Sequence, residues 1–155
     1  MANSVSNDFD YVDTSTALAA LCDRAGDLPM LALDTEFVRE DTYFPKPALL
    51  QLNAEGNIYL IDPLGIDDFS PLKSLLCDPG IVKVMHSCSE DMEVFNTLLG
   101  SYPVNLFDTQ IAAALSGQGF SLGYQKLVEQ MLGQRLEKTE TRSKWLQRPL
   151  TERQA

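Results

Sequence analysis

The apolar residues of this 155-residue chain fall in short runs punctuated by Gly, Pro and Asp, and the runs follow two periods. Leu18, Leu21 and Cys22 are spaced three and four apart, which predicts a helix from Thr14 or Ser15 through Ala25, ended by Gly26 and Pro29. Tyr11-Val12 reads as a short strand before it, and Met30–Val38 as a central strand after it. Pro45 and Pro47 mark a loop. Ala48–Asn53 and Asn57–Ile61 then form a hairpin that turns at Glu55-Gly56.

The second half alternates strand and helix. Helices are expected at Phe69–Cys77, Ser89–Leu99, Thr109–Leu115, Leu122–Leu132 and Arg142–Leu146, and strands at Ile81–Met85 and Val104–Phe107. Thr151 has the character of an N-cap. A meander followed by strand–helix alternation implies an α/β fold. Its sheet is mixed, antiparallel on one side, and its helices lie over the faces. The length suits one domain with a real core, and no linker or internal repeat interrupts it.

Composition narrows the class. An apolar content of 45% with 22% charged residues is that of a globular protein, and no apolar run has the roughly 20 residues of a membrane span. Met1 to Asp10 is polar and acidic, so no signal peptide is expected. Cys22, Cys77 and Cys88 are odd in number and have no CxxC spacing. Reduced thiols, small buried apolar residues and a cytoplasmic location follow as expectations.

The net charge of −10 argues against a nonspecific nucleic-acid coat. It is unevenly spread. Residues 1–120 carry five basic and eighteen acidic side chains, whereas residues 121–155 carry seven basic and four acidic. The basic set includes Arg142, Lys144 and Arg148, which are either phosphate contacts or part of a solvated charged face.

Candidate chemistry begins inside the central strand. In Leu31-Ala32-Leu33-Asp34-Thr35-Glu36-Phe37 two carboxylates stand two residues apart, so both leave one face of the strand beside apolar neighbours. Like charges so placed repel and resist desolvation, and a hard divalent cation with a taste for oxygen ligands resolves both problems. Mg²⁺ or Mn²⁺ is therefore the expected cofactor, with phosphoryl transfer as the chemistry. Strand Ile81–Met85 runs into His86-Ser87-Cys88-Ser89-Glu90-Asp91. Ser87 or Ser89 is the expected cap of the next helix, and Asp91 falls in its first turn. If the two strands are neighbours, Asp91 projects toward Asp34 and Glu36. Its alternative role is to complement the helix dipole, the role assigned to Glu90 and Glu93.

Three stretches carry a family resemblance. Leu33-Asp34-Thr35-Glu36-Phe37-Val38-Arg39, with Thr42-Tyr43-Phe44-Pro45 and Leu50-Gln51-Leu52 after it, is the first. Val84 through Phe95, containing His86-Ser87-Cys88-Ser89-Glu90-Asp91, is the second. Phe107-Asp108-Thr109-Gln110 and Arg142-Ser143-Lys144-Trp145-Leu146-Gln147-Arg148-Pro149-Leu150 form the third. In this order and spacing they resemble the 3′–5′ exonuclease domain of the ribonuclease D family, within the DEDD exonuclease group.

The resemblance implies a ribonuclease H-like fold and two divalent ions about 4 Å apart. It implies that Asp34 bridges both ions, Glu36 holds the ion that activates water, and Asp91 acts on the second ion through water. The substrates implied are RNA 3′ ends, tRNA precursors among them, with nucleoside 5′-monophosphates as product and no small-molecule cofactor. The resemblance also implies a third motif, a Tyr followed four residues later by an Asp, which no stretch of this chain contains. The expectation is a single exonuclease domain over 1–155, incomplete at its C-terminal end, without the helical RNA-binding domains of the family. Weak metal binding and poor turnover follow for the chain as given.

The remaining candidates have competing roles. Phe37 either stacks under a terminal base or packs on the sheet face opposite the acids, which strand alternation favours. Tyr43, in a loop, is the freer stacking candidate. His86 either touches a substrate phosphate or is a hydrogen-bonded structural residue, as its position at the core edge favours. Trp145 reads as a packing anchor for the final segment, and Asp108 as an N-cap rather than a metal ligand. Two other functions stay open: a 3′–5′ DNA exonuclease, since 2′-OH recognition has no sequence signature here, and a non-catalytic exonuclease-like binding module. Oligomeric state has no signature either.

Overall fold

A computed structural model describes residues 9–136, 143–151 and 153–154. Six strands form one mixed sheet. In chain order they are β1 Phe9–Val12, β2 Met30–Val38, β3 Lys46–Ala54, β4 Asn57–Ile61, β5 Val82–Met85 and β6 Leu106–Asp108. The sheet order is β1-β4-β3-β2-β5-β6. β4, β3 and β2 pair antiparallel, while β1 joins β4, β5 joins β2 and β6 joins β5 in parallel. The helices are α1 Ser15–Ala25, α2 Ser70–Leu76, α3 Ser89–Leu99, α4 Thr109–Leu115 and α5 Tyr124–Leu132, with a 3-10 turn at Pro63–Gly65.

Local chemistry accounts for the boundaries. The Thr14 side chain accepts from the Ala17 amide and caps α1. Ser15 instead uses its hydroxyl to receive the amides of Asp67 and Asp68, tying α1 to the approach of α2. Glu55 and Gly56 both have positive φ, 53° and 90°, the backbone that a two-residue hairpin needs to match strand twist. Gly100 closes α3 in the left-handed conformation at φ 61°.

The sheet buries both faces unequally. On one, α1, α2 and α3 cover Leu31 and Leu33 of β2, Leu50 and Leu52 of β3, and Ile61 of β4. On the other, Leu49 and Leu60 form a smaller cluster with Ala48 and Trp145, against which Val38 packs. The two clusters separate by strand alternation except at Ala48. There the pairing slips: Glu36 faces Leu49 and Phe37 faces Pro47, leaving Ala48 as the extra residue of a bulge. Pro47 has no amide to give a ladder, which is why an irregularity sits beside it.

Several expectations shift. β5 starts at Val82, β6 spans Leu106–Asp108, and α5 starts at Tyr124, two residues later than the apolar pattern suggests. Residues 143–146 are not helical: Trp145 and Leu146 form a turn, because Trp145 is drawn into the second cluster and is only 6% exposed. Arg142 lies outside the described residues. Thr151 sits in a turn in which Gln154 Oε1 receives both its amide and its hydroxyl. The three cysteines are free; Cys22 and Cys88 are buried, whereas Cys77 is half-buried at the end of α2. Lys83 is fully buried, its ammonium donating to the carbonyls of Asp78 and Ile81. Burial pushes its pKa down.

Candidate active site

Parallel pairing of β2 with β5 runs both strands toward the same edge, so the turn after β5 and the first turn of α3 lie beside the C-terminal half of β2. Alternation sends Leu31, Leu33 and Thr35 toward the helices and Asp34 and Glu36 to the opposite face. Asp91, 7% exposed, approaches from the helix side, where it accepts a hydrogen bond of 2.5 Å from the Thr35 hydroxyl. Thr35, the residue between the two acids, is thus the direct link to the third. Sequence reasoning passed over it, although a hydroxyl flanked by two acids was a visible signal.

Burial, with neighbouring negative charge, keeps protons on Asp34 and Glu36. Asp34 keeps solvent access, yet packed protein displaces enough of its water to push its pKa up to about 6, with help from the negative charge of Asp91. Glu36 rises to about 7, from burial first and then from Asp34 and Asp91. Burial also raises Asp91, against the Thr35 hydrogen bond, which favours its ionised form. Among the described residues no three His, Cys, Asp or Glu side chains converge closely enough to hold an ion as they stand. The donor set still suits a hard cation: oxygen ligands only, of one sign, each made reluctant to ionise by burial.

The turn that presents Asp91 is fastened from an unexpected side. Neither Ser87 nor Ser89 caps α3; its N-cap is Cys88, with no side-chain bond. Asp108 supplies the acceptors instead, receiving the amides of Ser87 and Cys88 at 3.0 Å each and that of Gln110 at 2.8 Å. One carboxylate therefore caps α4 and stabilises a turn in which Ser87 has φ 57°. Burial alone would raise Asp108, but the Cys88, Ser87 and Gln110 amides hold it down to about 2.

The other candidates are dispersed. His86 has Nδ1 at 2.8 Å from Thr109 Oγ1 and Nε2 at 3.0 Å from the Leu122 carbonyl, so Nε2 carries a proton and both nitrogens face inward partners. Phe37 is half-buried. Tyr43 is 85% exposed and stands edge-on to Phe44 at 4.9 Å between ring centres. Both line an open apolar groove with Lys46, Leu64, Thr97 and Leu146, which includes none of the three acids. Lys144 is exposed. Arg148 is not a surface charge: its guanidinium meets Asp62 and three backbone carbonyls.

The sequence profile of the 3′–5′ exonuclease family matches residues 9–155, nearly the whole chain. The chain belongs to this family. Within it, ribonuclease D of Escherichia coli strain K12 is 50% identical over 94% of this chain and 39% of its own length. Ribonuclease D of Pseudomonas paraeruginosa is 51% identical over 95% of the chain and 39% of its own length. The crystal structure of the E. coli enzyme, described as an exoribonuclease involved in structured RNA processing, superposes with a TM-score of 0.91 over 95% of this chain and 39% of that one. The catalytic core of RRP6 from Trypanosoma brucei does so at 0.87 with 26% identity, over 99% of this chain and 42% of that one. The chain thus spans about two fifths of the length of these relatives, and the mixed sheet with flanking helices is the ribonuclease H-like fold of this exonuclease family. No helix among the described residues is long and apolar enough to cross a membrane.

Proposed function

We propose that this chain is the nuclease portion of a metal-dependent 3′–5′ exoribonuclease that trims RNA ends, tRNA precursors among them, and releases nucleoside 5′-monophosphates. The observation that carries the reading is the raised pKa of both Asp34 and Glu36, each from burial first and each facing the negative charge of Asp91, within a family of 3′–5′ exonucleases. Asp34, Glu36 and Asp91 would hold Mg²⁺ or Mn²⁺. Bound divalent ions supply an activated water and stabilise the departing 3′ oxygen. The chain's own residues do the rest. Thr35 holds Asp91 against β2. Asp108 fixes the turn that aims α3. Tyr43, exposed on its loop, offers a face on which an unpaired base can stack. Phe37, Lys144 and Arg142 complete the candidate RNA contacts, and His86 holds the α4 side of the site through Thr109 and Leu122.

The chain supplies three acids where the family resemblance implies four, so weak metal binding and slow turnover are proposed for these 155 residues. Calorimetric titration with Mn²⁺ tests the site directly: binding is expected for the chain and lost in Asp34→Asn. Matched 5′-labelled RNA and DNA strands then test the substrate. Slow trimming of RNA from its 3′ end, absent in Asp34→Ala, supports the proposal. Preference for DNA transfers it to a deoxyribonuclease, and no metal binding with no trimming leaves a non-catalytic binding module.

A further inference from the structure

We infer that Arg148 is a positioning residue for Glu36: it clamps the β3 bulge opposite Glu36 and so fixes the strand register that presents this acid. The guanidinium has five N–H donors in a rigid fork, and each finds an acceptor. Nε donates to Asp62 Oδ2 at 2.5 Å and Nη2 to Asp62 Oδ1 at 2.7 Å. Nη1 donates to the carbonyls of Trp145 and Gln147 at 2.7 and 3.0 Å. The remaining Nη2 hydrogen reaches the carbonyl of Ala48 at 2.6 Å.

That last contact gives the clamp its consequence. Ala48 has no register partner on either neighbouring strand, and it separates Leu49, opposite Glu36, from Pro47, opposite Phe37. A completely buried residue with a carbonyl outside the ladder needs an acceptor's partner from elsewhere. Arg148, 100 residues away in sequence, provides it. Asp62 holds the arginine in place; it is buried, and it is itself anchored by the Tyr11 hydroxyl at 2.5 Å and the Leu64 amide at 3.0 Å. The same arginine seats Trp145 in the cluster that Val38 packs on, two residues from Glu36 along β2. Removing the fork frees the bulge to slip, and a slip of one residue would turn a strand face over.

The consequence for the metal rests on the proposed ligand role of Glu36; the clamp itself does not. Arg148→Lys keeps the charge but cannot satisfy both Asp62 and the three carbonyls. In this variant the amides of Glu36, Phe37, Val38, Ala48 and Leu49 are expected to exchange about 10-fold faster than in the parent chain, with Val94 and Phe95 of α3 unchanged. Mn²⁺ affinity is expected to fall about 10-fold. Arg135→Lys, the same exchange at the exposed Arg135–Glu129 pair outside the clamp, should change neither. Should Arg148→Lys not fold, Asp62→Asn replaces it, with the same local pattern at a smaller factor. Uniformly faster exchange, or none at the bulge, overturns the clamp. Local loosening with unchanged Mn²⁺ affinity overturns the link to Glu36. A parent chain that binds no Mn²⁺ removes the ligand reading, and the exchange pattern still decides the clamp.

Discussion

Asp34 and Glu36 ionise late because protein has replaced their water and Asp91 adds a negative field. Their folded pKa values, about 6 and about 7, stand above the ordinary 3.8 and 4.5. The folded chain therefore keeps protons that the unfolded chain releases. The pair's contribution to stability is intact below about pH 4 and is lost as pH rises through about 6 and 7. On the proposed function a cation competes for the same oxygens. Mn²⁺ affinity should climb between about pH 5 and 7 and level off above, with proton release near pH 6 and almost none at pH 8. Calorimetry in two buffers of different ionisation enthalpy measures that release, and a value of zero near pH 6 would sink the shared-site reading. Thr35→Val tests the third acid. It keeps the shape and removes the donor to Asp91, at an expected cost of roughly 1–3 kcal/mol. Urea unfolding midpoints of variant and parent check it.

At the level of elements, the turn between β5 and α3 depends on a carboxylate from β6. Asp108→Ala strips acceptors from Ser87, Cys88 and Gln110 and should cost roughly 2–3 kcal/mol at neutral pH, read from urea unfolding. Because the Asp108 pKa is depressed to about 2, its contribution is present above the ordinary 3.8 and lost as pH falls toward 2, so variant and parent should converge in acid. β2 was legible in sequence to the residue, since its apolar alternation carries an acid pair that no helix period explains. α3, the hairpin turn and its second strand were equally legible, as were the N-cap roles of Thr14 and Asp108, because each has a local cause, whereas the first hairpin strand runs Lys46–Ala54 rather than Ala48–Asn53 and takes in Pro47, expected in a loop. What escaped depends on residues far apart. The Arg148–Asp62 pair spans 86 positions and the Thr35–Asp91 bond 56, and no window contains either. Arg142–Leu146 reads as helix, of which 143–146 are described, because local pattern cannot register that Trp145 is claimed by a cluster formed from β3 and β4. The bulge had one local hint, Pro47 inside an otherwise regular strand.

Across the whole molecule, charge limits how RNA can be held. The chain carries −10 overall, and two of the seven basic residues over 121–155, the stretch with the candidate phosphate contacts, are committed to carboxylates. Arg148 is consumed by the clamp, and Arg135 pairs with Glu129 at 2.7 Å. Near the acids, Arg39 is paired with Glu93 at 2.6 Å, a half-exposed contact of little energy that still occupies the cation. An acidic surface repels a polyanion, so on the proposed function affinity comes from cations held by the acids and from base stacking rather than from counterion release. Single-stranded RNA should therefore bind negligibly in EDTA. With Mg²⁺ present, the affinity measured against increasing KCl should show a log–log slope of only about −1, equivalent to one or two phosphates neutralised. Tyr43→Ala should weaken that binding by roughly 1–2 kcal/mol without altering the slope, because stacking releases no counterions. Fluorescence anisotropy over a salt series separates the two contributions. A steep slope that persists in EDTA would mean that a basic surface, not the Asp34–Glu36 edge, carries the RNA.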